Sequence, residues 1–228
     1  MRQTGAVLPL YVLTSLMSAL LLFSLQPMFT KMVLPFLGGS SAVWNTAMVF
    51  FQATLLAGYL YVHATTRLMR VKAQIVLHLA LLTAALVVLP IETASGWAPP
   101  ADGPPIPWLI ALLAVSIGLP FVAVSTTAPL LQKWFSHTAH PSAADPYFLY
   151  GASNLGSLLA LISYPTVIEP LLGLDLQSWT WSVGYAVLVV LIGLCALVPW
   201  RGAGPSGRDE AQEAPSALVS QVDWPLRL

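Results

Sequence analysis

The chain has 228 residues, of which 57% are apolar and only 8% charged, and its mean hydropathy is +0.78. A soluble domain averages about 45–50% apolar and about 25% charged residues, so the composition excludes a soluble enzyme, a nucleic-acid binder and a disordered chain. Lys+Arg equal Asp+Glu at nine each, leaving no net field to gather a polyanion, and one cysteine, Cys195, allows neither an internal disulfide nor a thiolate cluster.

A hydrocarbon core of about 30 Å takes about 20 apolar residues in a helix. Six stretches qualify in chain order: Ala6–Phe29, Ala42–His63, Ala73–Leu89, Ile106–Leu131, Pro146–Ile168 and Trp179–Pro199. None contains Asp, Glu, Lys or Arg, the segregation that repeated membrane crossing requires. The expected fold is all-α: a polytopic bundle of six transmembrane helices over residues 1–200, followed by a flexible tail, 201–228, rich in Gly, Pro, Ser and acids. Hydrophobicity rises again at Val222–Leu228, so the expectation is a chain that stops before its next element.

Span 1 is too long for a signal peptide, and no A-x-A-like site follows it. Its far end carries Gln26-Pro27 and Lys31, read either as a gate or, for the lysine, as a snorkelling interfacial residue. Gly38-Gly39-Ser40-Ser41 predicts a turn with a capping serine. Span 2 bears a polar stripe: Asn45, Gln52, Tyr59 and His63, at steps that hold one helical face. In span 3, His78 lies four residues after Gln74, which predicts an internal hydrogen bond. The proline-rich connector 90–105 is expected to be extended.

Span 4 contains Gly118, Pro120 and Pro129, which predict a kink. Ser125-Thr126-Thr127 can re-satisfy carbonyls freed there. His137-x-x-His140 with Asp145, near Lys133, has metal-ligand chemistry but no fixed helical spacing, so no metal or other cofactor is expected. Asp145-Pro146 should cap span 5. This span holds a second polar stripe: Tyr147, Tyr150, Asn154, Ser157 and Tyr164. Pro165 should bend it, and Ala152, Gly156 and Ala160 form a small-residue ladder for close helix approach.

Eight of the nine basic residues fall on one side of the six spans, with Lys31 alone on the other, which sets both termini in the cytoplasm. Trp44, Trp97, Trp108, Trp134, Trp179, Trp181 and Trp200 fall at or near span ends, as an interfacial belt requires.

Neutral amides and phenols at membrane depth need partners in the protein or a water-filled cavity. Either they tie neighbouring helices together, or the two stripes share a cavity suited to an amphipathic or polyamine-like cation, because tyrosine faces attract cations. In the second case Lys133 and Glu169 join Gln26 and Lys31 as gate residues. The chain has no G-x-G-x-x-G loop, no P-loop and no carboxylate inside a span. An ion-coupled step would draw on His63 or Glu169, and no enzyme chemistry is expected.

Several segments carry a resemblance. They are Gln26-Pro-Met-Phe-Thr-Lys-Met-Val-Leu-Pro-Phe-Leu-Gly-Gly39, Ala42-Val-Trp-Asn-Thr46, Met48-Val-Phe-Phe-Gln52, Gly58-Tyr-Leu-Tyr61 with His63, Ser125-Thr-Thr-Ala-Pro-Leu-Leu-Gln-Lys-Trp134, Asp145-Pro-Tyr-Phe-Leu-Tyr-Gly-Ala-Ser-Asn-Leu-Gly-Ser157 and Glu169-Pro-Leu-Leu-Gly173. The chain resembles the membrane region of the bacterial fused major-facilitator/spermidine-synthase-like family. The resemblance implies a bacterial inner-membrane protein and a partnering second membrane half. It also implies a cytoplasmic synthase-like domain whose catalytic signature matches no position here. Six spans also divide as a 3+3 inverted repeat, half of a major-facilitator-like bundle. Two functions stay open: a transporter-like domain, or a non-transporting anchor for a synthase-like domain or partner.

Overall fold

The computed structural model describes residues 4–93, 99 and 105–202. All regular structure among them is helical, and six helices are long and apolar enough to cross a membrane. They run Ala6–Leu37, Ser41–Leu68, Val71–Val88, Pro105–Ser136, Tyr147–Leu171 and Leu174–Arg201, and are called spans 1 to 6 below. Of the expected tail 201–228, residues 201 and 202 continue the last helix, and 203–228, Trp97, Asp102 and most of the proline-rich connector lie outside the described residues.

Each helix runs past its predicted apolar stretch at one end at least, while span 3 stops one residue short of Leu89 and span 5 starts one after Pro146. The charges Lys31, Arg67, Lys133, Glu169, Asp175 and Arg201 therefore ride on helix ends. Ser40 caps span 2, accepting from the Val43 amide at 3.4 Å, and Gly38 takes the positive φ of 69° that ends span 1. Span 5 starts one residue later than the expected Asp145 cap. Pro146 holds the cap position, and the Asp145 carboxylate accepts from the Tyr147 amide at 3.3 Å.

Beside two of the prolines expected to kink the spans the helix widens locally, while Pro129 lies within continuous α-helix. Ala114–Gly118 forms a π-helical turn just before Pro120, and Tyr164–Ile168 forms a second one around Pro165. Each wider turn accommodates a residue without an N–H.

Spans 1 and 4 are the centre of the bundle. Span 2 packs on span 4, span 4 on span 1, and span 1 on span 5, giving a row 2–4–1–5. Spans 3 and 6 pack against each other, span 3 also on span 4 and span 6 also on span 1. The small-residue ladder does what its spacing predicts. Gly156 brings span 5 so close to span 1 that a Cβ there would collide with the Leu16 carbonyl oxygen and come within 3.0 Å of its carbon. Gly58 plays the same part between spans 2 and 4, 2.7 Å from Ser125 Oγ by the same measure.

The core holds large side chains from every span, among them Phe29, Phe51, Leu82, Phe121, Phe135, Leu149 and Tyr185. Polar groups tie it crosswise. Tyr11 donates to the Cys195 carbonyl at 2.9 Å, Trp181 Nε1 to the Leu21 carbonyl at 2.9 Å, and Tyr185 to the Leu82 carbonyl at 2.9 Å. Two members of the expected tryptophan belt are thereby corrected: Trp134 and Trp181 are buried in the core. Proximity to a span end does not separate an outward ring from an inward one. Trp44, Trp179 and Trp200 are exposed, as anchors should be, and Lys72 lies 5.6 Å from the Trp200 ring centroid.

Candidate functional site

The polar stripe of span 2 is a true helical row. Asn45 to His63 is eighteen residues, five whole turns at 3.6 residues each, so the row does not drift. Asn45, Gln52, Tyr59 and His63 are all exposed, Tyr59 by 51%. They lie opposite the face that packs on span 4 through Val43, Ala47, Phe51, Gly58 and Val62. Exposed Val49, Leu56 and Leu60 flank the row on one side, and exposed Met48 and Trp44 on the other.

The stripe of span 5 splits. Tyr147, Tyr150 and Asn154 are exposed, the first by 79% and the second by 60%. Ser157 is half-buried and turns back to the Ser153 carbonyl at 3.0 Å. Tyr164 is buried and donates to Gln177 Oε1 at 3.0 Å, joining spans 5 and 6. The cause is angular. Seventeen residues from Tyr147 to Tyr164 leave the two roughly 100° apart at 3.6 residues per turn, so the row winds from the surface into the bundle.

Spans 2 and 5 do not meet around an enclosed cavity, since spans 4 and 1 stand between them. Their polar groups lie on the surface of the six-helix body. Two grooves stand out elsewhere among the described residues. A small one, about 70 Å³, lies among Leu37, Ser40, Val43, Thr46, Ile106 and Leu109. A larger one, about 210 Å³, lies between spans 1, 5 and 6, and Tyr164 is the one stripe residue on its wall.

Of the proposed gate residues, Lys31 and Glu169 come together. Lys31 Nζ lies 2.5 Å from Glu169 Oε1, closing spans 1 and 5 at one end of the bundle. Lys31 is thus an ion-paired residue rather than a lone snorkelling lysine. Both side chains are partly exposed. Gln26 and Lys133 are half-buried, on spans 1 and 4, and Lys133 sits in the last turn of span 4.

The His137/His140/Asp145 group is occupied with its own backbone. His137 Nδ1 pairs with the Lys133 carbonyl at 2.8 Å, His140 Nδ1 accepts from the Ser142 amide at 3.1 Å, and Asp145 caps Tyr147. Among the described residues no three His, Cys, Asp or Glu side chains gather as a metal site.

His78 is fully buried and bonds across to Thr127 Oγ1 at 3.3 Å, not to Gln74, whose amide donates to the Met69 carbonyl. The expected internal bond exists with a different partner. The hydroxyls of Ser125, Thr126 and Thr127 bond to the Val122 and Ala123 carbonyls, one turn before the carbonyl that Pro129 frees. The long-range donors Tyr11, Trp181 and Tyr185, to carbonyls of other spans, and Ser178, to the Ile91 carbonyl beyond span 3, escaped the sequence reading. Three of them sit at Ser178, Trp181 and Tyr185 on one face of span 6, a spacing that marks a packed face.

Comparison with protein-family models, curated proteins and solved structures finds no match.

Proposed function

We propose that this six-span body is one half of a transporter-like membrane bundle, and that its polar face meets a second membrane half across a solute route. The observation that carries the proposal is the outward row of amides, phenols and imidazole on spans 2 and 5. Such groups are costly against acyl chains, so a polar face on a membrane body calls for protein or water against it. On each helix the exposed polar row lies roughly 140° around from the centre of the buried face, counted in the same sense at 3.6 residues per turn. Spans 2 and 5 are three crossings apart and run antiparallel, at opposite ends of the row 2–4–1–5. Equal offsets on antiparallel helices turn both rows to one side.

The packing pattern supports a 3+3 inverted repeat. Exchanging spans 1, 2 and 3 for 4, 5 and 6 swaps the 2–4 contact with 5–1 and the 3–4 contact with 6–1, and maps 1–4 and 3–6 onto themselves. The basic residues at 67–72, 133 and 201 favour cytoplasmic termini by the positive-inside rule. The resemblance stated above favours a bacterial inner membrane. The solute class that fits tyrosines and uncharged amides is a small amphipathic or polyamine-like cation.

The test combines Gln52→Ala and Asn154→Ala in the full protein with cysteine labelling at both positions, in a Cys195→Ala background. The proposal expects aqueous reagents to reach both positions, and solute flux and solute-induced thermal shift to fall in the double variant while folding persists. Unchanged flux and thermal shift in folded protein refute it. One observation favours the second reading, an anchor for a synthase-like domain: the stripes enclose no cavity within the chain itself. Replacement by an unrelated six-span anchor preserves cell function under that reading and abolishes it under the first.

A further inference from the structure

We propose that the groove between spans 1, 5 and 6 is a binding site for one acyl chain of a bilayer phospholipid with an amine-bearing zwitterionic headgroup, such as phosphatidylethanolamine. The groove is floored by Met17, Leu20, Leu21, Ser24 and Met28 of span 1, with walls from spans 5 and 6. It exists because the π-helical turn at Tyr164–Ile168 carries span 5 around Pro165, while span 6 packs on span 1 through Trp181. Such π-helical turns are frequent at functional sites.

Three properties select the occupant. The first is polarity. Every deeply set polar group on the wall is satisfied inside the protein: Ser24 donates to Leu21, Trp181 Nε1 donates to Leu21, Tyr164 donates to Gln177, and the Gln177 amide donates to Leu172. A polar solute finds no buried hydrogen-bonding group to pair with there, whereas hydrocarbon loses nothing. The second is length. Met17 to Met28 covers about 16 Å of helix axis, against about 15 Å for the hydrocarbon of one leaflet. The groove runs from mid-membrane to one interface.

The third is what stands at the interfacial end. Lys31 lies one turn beyond Met28, and Glu169 directly follows the wall residue Ile168. Their ion pair is more than a third exposed on each side. Lys31 can meet a phosphate and Glu169 an ammonium, so the pair complements a zwitterionic head better than a purely anionic one. Exposed Val167, Leu171, Leu176 and Val183 flank the region with further apolar surface for the second chain.

The test uses the full protein in vesicles of equal parts phosphatidylethanolamine and phosphatidylglycerol, extracted mildly and weighed by native mass spectrometry. Wild type should retain a single phosphatidylethanolamine. Thr180→Trp, which fills the groove from an exposed wall position, should lower retention about tenfold. The double variant Lys31→Met/Glu169→Gln should retain a lipid without preference between the two heads. A phosphatidylethanolamine carrying a photoreactive group near mid-chain should label wild-type peptides around residues 17–24 and 180–184. That arm decides the matter should Thr180→Trp fail to fold. No retained lipid in wild type, phosphatidylglycerol retained in preference, equal retention by folded Thr180→Trp, or labelling spread evenly over all exposed faces each overturns the proposal.

Discussion

Among the described glycines, the one pressed hardest against a neighbouring backbone makes the sharpest prediction. Gly156→Ala adds one methyl to span 5, and that methyl meets the Leu16 carbonyl group, with the Ala19 methyl 3.2 Å away. The obstacle is backbone, so no rotamer change relieves it and the helices must separate. Overpacking of this kind costs about 1–3 kcal/mol. Alanine recovers about 0.5–1 kcal/mol over glycine from helix propensity, which blurs the single measurement. Gly151→Ala removes the blur. It lies on the same helix with nothing within 4 Å of its added Cβ, so it gains the propensity and meets no clash. The difference between the two variants isolates the contact. It should reach about 2 kcal/mol, a factor of about 30 in the unfolding equilibrium. Equilibrium unfolding in mixed micelles, followed by circular dichroism, measures both. Equal stabilities within about 0.5 kcal/mol would refute the packing of spans 1 and 5 described above.

Further outcomes follow from other contacts. Gly58→Ala meets the Ser125 hydroxyl, a side chain that can be removed. It should lower thermal stability in the wild-type background and lose most of that effect with Ser125→Ala, a coupling a double-mutant cycle reads directly. Trp181→Phe and Tyr185→Phe each delete one buried donor to a carbonyl of a neighbouring span and should cost about 0.6–1.7 kcal/mol each by unfolding titration; no loss in either refutes those bonds. His78→Phe keeps an aromatic partner for Trp134 while removing the buried Nδ1 that has no hydrogen bond. The bond to Thr127 that it gives up and the unpaired Nδ1 that it removes are each worth about 1 kcal/mol, so stability should change by less than about 1 kcal/mol, and a larger loss would show that Nδ1 too is satisfied. Lys31→Met/Glu169→Gln should shift domain stability by less than about 1 kcal/mol, so its effect on lipid preference can be read in folded protein.

The six helices were legible because membrane burial writes one simple rule, twenty apolar residues between charges. The ladder at Gly156 was legible for the same kind of reason, since only small residues allow backbones to approach. Helix ends were less so. Lys31 and Glu169 look like connector residues by charge alone, yet both continue helices and join each other. The span 2 stripe could be placed on one face from its period. The span 5 stripe could not, because its steps drift until Tyr164 turns inward. The sequence is silent on which face of a helix meets protein. That choice belongs to the arrangement of the bundle, and it put the stripes on the outer surface instead of around an inner cavity. Trp134 and Trp181 were misjudged for the same reason: their distance from a span end is readable, their direction is not.

The central place of span 4 carries a consequence for biogenesis. The first three helices touch one another little, for span 2 rests chiefly on span 4, and span 3 on spans 4 and 6. A ribosome that has released only three helices into the bilayer has therefore made no stable tertiary unit. Most of the packing of the first three segments forms only once the fourth and later segments have joined them.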